Sequence, residues 1–373
     1  MSAHSDSPPA TLDTIPPGAQ ARLEIDLAAL ADNWRLLARR ATPAECGAAI
    51  KADAYGIGLG AAAPALARAG CKTFFVAHLT EALAARRLAP SARVFLLHGL
   101  PPADAEALRA AGVRPVLGGL DQIARWRDLG GGPCALHIDT GMNRMGLRWD
   151  GPAPDAADLA ALGVELILSH FVAADEPDHP LNPMQIERFA AWRARYPDIA
   201  ASLANSSGHF LDAAPFYALS RPGYALYGGN PTPGAPNPMR DVVRLSAPIL
   251  GLRDVSTDEP CGYSATWTSR RRARIAAIGV GYADGYPRAC GGADSTPAAF
   301  AVVEGTRIAV VGRVSMDITL IDVTDAPNAR IGSQVTLIGD GIGVDDVGGW
   351  AGTNGYEVLT RLGPRYARAY LGA

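Results

Sequence analysis

The chain has 373 residues, 48% of them hydrophobic, and a formal net charge of −3. That length suits two domains with a sizeable core, and the balanced charge gives no electrostatic case for nucleic acid or an anionic membrane. No apolar run reaches the ~18 residues of a membrane-spanning helix, and residues 1–20 lack the basic-then-apolar order of a secretory signal. They read as a disordered, Pro-rich leader, and the expected compartment is the cytoplasm. The five cysteines, Cys46, Cys71, Cys134, Cys261 and Cys290, have neither metal-ligand spacing nor a disulfide rhythm. No metal site is expected.

In chain order, Leu27 to Arg39 forms the first helical pattern, with apolar positions at Leu27, Leu30, Trp34 and Leu37. Strand-like runs follow at Ala48–Ile50, Thr73–Ala77, Val94–Leu97, Val113–Leu117, Ala135–Ile138, Leu166–Ser169 and Ser202–Ala204. Helical stretches lie between most of them. Such alternation predicts a parallel α/β fold, with an N-terminal (β/α)8 TIM barrel as the closed solution over residues 21–245. An open doubly wound sheet is the competitor, but no GxGxxG follows the first strand. Beyond the Gly/Pro-rich stretch Gly228–Pro238 the texture changes. Short β-rich runs at Arg274–Val280, Phe300–Val303, Arg307–Val311, Ile318–Val323 and Gln334–Ile338 predict a mainly β domain over residues 246–373, with one helical segment near Asp345–Gly352.

Of 34 basic residues only two are lysines, Lys51 and Lys72. A genome rich in arginine codons explains the depletion but not the survival of a lysine at 51. Lysine can lose its proton when its surroundings lower its pKa, and arginine cannot. The segment AAIKADAYGIGLG puts Lys51 at the C-terminal end of a strand, where barrel enzymes gather reactive groups, and Gly56, Gly58 and Gly60 turn the chain into a helix. The alternative for that segment alone is an ordinary βα turn with a solvated lysine.

Further segments narrow the choice. KADAYGIG, DTGMNRMG (139–146), SHFVAADE (169–176), ANSSG (204–208), RPGYALYG (221–228), GYSATW (262–267), GYADGYPR (281–288) and GRVSMD (312–317) occur in this order. On these eight segments the chain resembles the alanine racemases, from about residue 20 to the C-terminus. The resemblance implies a pyridoxal-phosphate (PLP) enzyme that interconverts L- and D-alanine and supplies D-alanine for peptidoglycan. It also implies a homodimer with shared active sites.

The same resemblance assigns roles. Lys51 would hold PLP in a Schiff base and serve as the base on one face of the substrate Cα. Tyr263, from the partner subunit, would serve the other face, its phenol tuned below its usual pKa of ~10. Arg221 would face the pyridine nitrogen and keep it unprotonated, with His170 behind it. Tyr55, Ser206, Gly223, Tyr224 and Tyr356 would hold the phosphate. Arg144 and the backbone of Met316 would meet the substrate carboxylate, with Tyr282 and Asp317 lining the same entrance.

One position departs from the family. Many members carry, two residues before the Asp of DTGM, a lysine whose carbamate holds the arginine; here that position is His137. A histidine forms no stable carbamate, so a bound anion, a water or another side chain must hold Arg144, and turnover should need no bicarbonate. Competing functions are a racemase acting on serine or a broader range of amino acids, and a PLP-dependent decarboxylase. The decarboxylase would pair an acidic group with the pyridine nitrogen, where Arg221 stands. A non-catalytic PLP carrier is the third, and single-domain barrels of that kind lack the β domain.

Overall fold

The computed structural model describes residues 21–212, 214–294 and 299–372. The expected leader, 1–20, lies outside them. The chain divides into two compact units, residues 30–240 and residues 1–29 with 241–373.

The 30–240 unit is the expected barrel. Its parallel strands run in the order Ala48–Ala49, Thr73–Val76, Arg93–Leu96, Arg114–Leu117, Cys134–Asp139, Val164–Leu168 and Ala200–Ser202. The eighth strand, Leu219–Ser220, closes the ring by pairing with Glu45–Cys46, which continues into Ala48–Ala49. At the seam Gly47 donates to the Ser220 carbonyl at 2.9 Å, and Ala49 to the Pro222 carbonyl at 2.8 Å. A Cβ on Gly47 would stand 3.0 Å from both the Phe75 ring and the Thr73 carbonyl, so the strand passes this point without a side chain. Strands such as Thr73–Val76, buried at every residue, read as continuous apolar runs because a parallel barrel strand is covered on both faces. The eighth strand is only two residues long and leads into Arg221-Pro222, too short to show as a run.

The expected first helix spans Leu27–Ala41, and Leu27, Leu30, Trp34 and Leu37 are all buried. The Trp34 indole donates to the Cys46 carbonyl at 3.2 Å and so fastens the helix over the seam.

The second unit is an eight-stranded sheet, largely antiparallel. Its spine is Val243–Val255, a 13-residue strand bent by an irregularity between Ile249 and Gly251. The expected β runs appear as Ala273–Ile278, Phe300–Val303, Thr306–Val311, Thr319–Asp322 and Gln334–Ile338. The late helical region is two helices, Val344–Trp350 and Gly355–Thr360. The strand Arg22–Asp26 belongs here and not to the barrel span in which residues 21–245 would place it. It pairs antiparallel with the spine and parallel with Ala367–Leu371. Its RLEID sequence alternates buried and half-exposed positions, the pattern of a sheet wet on one face. Among the described residues no helix is long and apolar enough to cross a membrane, and no cluster of three or more His, Cys, Asp or Glu could hold a metal. All five cysteines are buried thiols.

Candidate active site

Lys51 follows directly on a barrel strand, and its neighbour Ile50 donates to the Phe75 carbonyl of the adjacent strand at 2.9 Å. The chain then does something the sequence does not announce. Ala52, Asp53, Ala54 and Tyr55 all have φ between 52° and 54°, giving one left-handed turn built from non-glycine residues. Each costs roughly 1–2 kcal/mol relative to the right-handed form, so the turn persists only where its surroundings hold it. Ala54 donates to Ile50 at 3.0 Å and Gly56 to Ala52 at 2.8 Å, while the Asp53 carboxylate accepts from the Leu59 N–H at 2.6 Å. Gly56 and Gly58 have the positive φ expected of a turn, whereas Gly60 lies inside the helix Leu59–Ala69. Burial, and then the Arg144 charge, lower the pKa of the half-buried Lys51 amine; Glu81 opposes them. A lysine so placed yields a free amine more readily than one on the surface.

Arg221 is 6% exposed. One guanidinium nitrogen donates to Ser202 Oγ at 2.5 Å, and the other donates to the Ser169 carbonyl and stands 3.4 Å from His170 Nδ1. Guanidinium has only donors, so Nδ1 must be the acceptor and the ring proton sits on Nε2. Burial brings Arg221 down to about 10, which leaves it charged at neutral pH. Burial first, and then the Arg221 charge, hold His170 well below its usual value, so the histidine is neutral.

Around Gly223 four expected residues converge. Ser206 Oγ accepts from the Gly223 N–H at 2.9 Å and the Ala225 N–H at 3.2 Å. A Cβ on Gly223 would lie 2.3 Å from the Tyr55 hydroxyl oxygen, so glycine alone lets the phenol reach this backbone. The Tyr55 ring stacks on Tyr227 at 4.6 Å, and Tyr227 donates to the Ala49 carbonyl at 2.9 Å. Tyr224, buried, opens the short 3-10 turn that follows. Hydroxyls and N–H groups gathered at bare backbone fit a phosphate, and Lys51 at the end of a nearby strand fits an aldehyde. The donor set of the barrel thus fits pyridoxal phosphate.

Arg144 sits exposed in the loop after Cys134–Asp139. Asp139 Oδ1 accepts from Gly141 at 2.9 Å and Met142 at 2.8 Å, fixing the loop's entry. At its exit, a Cβ on Gly146 would meet the Asp139 nitrogen at 2.8 Å and the His137 ring at 3.2 Å. Burial, followed by Arg221, pushes His137 down to about 4, with Asp139 opposing. His137 is therefore uncharged at neutral pH and brings no negative charge to Arg144.

The other expected residues belong to the second unit. Tyr282 donates through its N–H to the Ser315 carbonyl, and Ala283 to the Met316 carbonyl, both at 3.0 Å. A Cβ on Gly281 would lie 2.2 Å from the Met316 oxygen, so GYADG and GRVSMD run backbone to backbone. Asp317 pairs with Arg365 at 2.8 Å. Tyr263 lies on a short 3-10 turn after Gly262, which abuts Gly312 and Arg313. Tyr263 is 69% exposed and Met316 54%. Tyr356, on the helix Gly355–Thr360, is also exposed.

Two residues escaped the sequence reading. Gln185 is wholly buried and bonds Thr140 Oγ1 at 3.0 Å, the His170 carbonyl at 2.9 Å and the Val172 N–H at 2.9 Å. It joins the loop that carries Arg144 to the strand end that carries His170, and nothing in NPMQIERF signals this. Glu81 accepts from Ala52, Ala77 and His78. Its signal was a glutamate at the third helical position of LTEALAARRL, a capping arrangement.

The family model for the alanine racemase N-terminal domain matches residues 25–231, and that for the C-terminal domain matches residues 242–370. The chain belongs to the alanine racemase family. An alanine racemase of Methylobacterium sp. (strain 4-46) is 52% identical over 367 residues, covering 96% of this chain and 99% of the relative. Another from Methylobacterium nodulans is 53% identical over 361 residues, covering 94% and 96%. Among solved structures, alanine racemase from Bartonella henselae with covalently bound pyridoxal phosphate is similar with a TM-score of 0.87. It is 34% identical and covers 95% of this chain and 100% of that one. The fold therefore has a family counterpart in a structure that holds the cofactor.

Proposed function

We propose that this chain is a PLP-dependent racemase of alanine. The observation that carries the reading is Lys51, lowered in pKa at a barrel strand end in a unit that also buries Arg221 against His170. When bound, pyridoxal phosphate supplies an electron sink that loosens the substrate Cα proton. Lys51 would hold it covalently and, once the substrate's own amine has displaced it from the aldehyde carbon, the freed lysine amine would take or return that proton on one face. Tyr263 of the partner subunit does the same on the opposite face, which racemisation requires. Arg221, charged and donor-only, leaves the ring nitrogen without a proton, and His170 keeps Arg221 in place. Tyr55, Ser206, Gly223, Tyr224 and Tyr356 hold the phosphate, while Arg144 and the backbone of Met316 orient the substrate carboxylate.

On this reading residues 30–240 form the cofactor domain, and residues 1–29 with 241–373 form the β domain. The enzyme works as a cytoplasmic homodimer whose subunits complete each other's sites, and its product feeds cell-wall peptidoglycan. The test is Tyr263→Phe, assayed by oxidase-coupled detection of D-alanine. Racemisation falls by roughly 10²–10⁴-fold, the usual range for a lost acid–base group, while the visible band of the lysine-bound cofactor persists. Unchanged turnover would overturn the two-base reading. A screen of L-alanine, L-serine and longer amino acids by kcat/KM should favour alanine, and CO2 released from ornithine would point to a decarboxylase instead.

A further inference from the structure

The left-handed turn after Lys51 is held by local bonds and by one that is not local. The Ala52 N–H donates to Glu81 Oε1 at 2.6 Å, across 29 residues of sequence. The second oxygen, Oε2, accepts from Ala77 at 2.9 Å and His78 at 3.0 Å, where the strand Thr73–Val76 ends. One carboxylate thus ties the residue after the lysine to the rim of the neighbouring strand. Two oxygens serve three N–H donors, which an ionised carboxylate can do. An amide has a single acceptor oxygen and would aim its NH2 at the donors left over.

We propose that Glu81 is a positioning residue for the Lys51 amine, acting through the Ala52 N–H. The proposal rests on the reading that Lys51 carries the cofactor. By pinning Ala52, Glu81 fixes the direction in which the lysine leaves the strand and keeps the strained turn closed. Its charge also reaches the amine and favours the ammonium form, against burial and Arg144. His98 and His170 share the same electrostatic neighbourhood, and both are lowered chiefly by burial. A plain capping role for the helix Leu79–Leu88 would account for the bonds to Ala77 and His78 but not for the bond to Ala52.

The experiment compares the parent holoenzyme with Glu81→Gln, and with Glu81→Gln combined with Ala52→Gly. Each is measured for kcat and KM with alanine, for thermal midpoint, and for the pH titration of the visible cofactor band. Glu81→Gln should lower kcat about tenfold with KM within about twofold, and should move the band's titration to lower pH. Glycine adopts the left-handed region freely, so adding Ala52→Gly should recover kcat by about threefold or more. A kcat within about twofold of the parent overturns the proposal. So does a loss confined to thermal stability that Ala52→Gly leaves unrepaired.

Should Glu81→Gln not fold, hydrogen exchange on the unmodified holoenzyme decides. The Ala52, Ala77 and His78 amides should be protected together, and fast exchange at Ala52 beside slow exchange at the other two overturns the idea. Lys51→Ala separates the two levels. A covalent cofactor band surviving in that variant removes the underlying reading. Its loss, with Glu81→Gln behaving like the parent, removes only the role of Glu81.

Discussion

The two units present their functional residues in opposite ways. In the barrel, Arg221 is buried and bonded to Ser202 beside His170, Ser206 holds the Gly223 backbone, and burial shifts Arg221, His170 and His137 in pKa. In the β unit, Tyr263, Tyr282, Met316 and Tyr356 are large side chains standing exposed. Enclosure lets the barrel set protonation states in advance: a charged Arg221 beside a neutral histidine. Exposed apolar and aromatic groups grouped by a tight backbone ladder are suited to meeting something brought to them. On the proposed reading, one half of the chemistry is built by folding and the other by apposition of a second subunit.

The largest expected effect tests the enclosed half. Lys51→Ala should lower racemisation by at least ~10⁴-fold, because holding the cofactor and moving the proton are lost together. Retained activity would break the comparison at its base.

Gly223→Ala comes next. Its methyl group would collide with the Tyr55 hydroxyl at 2.3 Å, and overpacking typically costs about 1–3 kcal/mol. Cofactor affinity of the apoprotein should therefore fall by roughly 5- to 150-fold, measured by fluorescence titration.

A smaller effect concerns stability. His137 is held near 4 in the folded chain against an ordinary 6.5. Below pH 6.5 the unfolded chain binds a proton that the folded chain refuses. The stability from this group is thus complete above 6.5 and drains away as pH falls towards 4, by up to about 3 kcal/mol. His137→Gln should flatten the fall of the thermal midpoint between pH 6.5 and 4.5; an unchanged slope would mean the histidine is not enclosed. The smallest expected effect is none: adding or stripping bicarbonate should leave kcat/KM unchanged, since His137 offers no amine to carbamylate.

Much of the barrel half was legible because its chemistry is written in contiguous segments. KADAYGIG and RPGYALYG each carry their own turn glycines, and the alternation of strand-like and helical segments announced a parallel sheet. Other features stayed hidden for physical reasons. The strand Leu219–Ser220 is too short to give a pattern, and Arg22–Asp26 finds partners some 220 and 345 residues away. The left-handed turn at Ala52–Tyr55 is made by residues with no preference for it, so its cause lies in tertiary bonds such as that from Ala52 to Glu81. Gln185 likewise acts through three bonds to distant segments, and a lone glutamine on a helix carries no sign of that. Tyr263 was legible as a residue through GYSATW; its exposure was not.

The central claim, that each site takes its lysine from one subunit and its tyrosine from the other, meets its most direct test in a mixed dimer. Lys51→Ala and Tyr263→Phe proteins, each nearly inactive, are combined, dissociated and reassociated. Half the resulting dimers should be hybrids with one intact site of two, restoring about a quarter of parental activity. Sites built within single chains would restore none, and the absence of any recovery in verified hybrids would contradict the account.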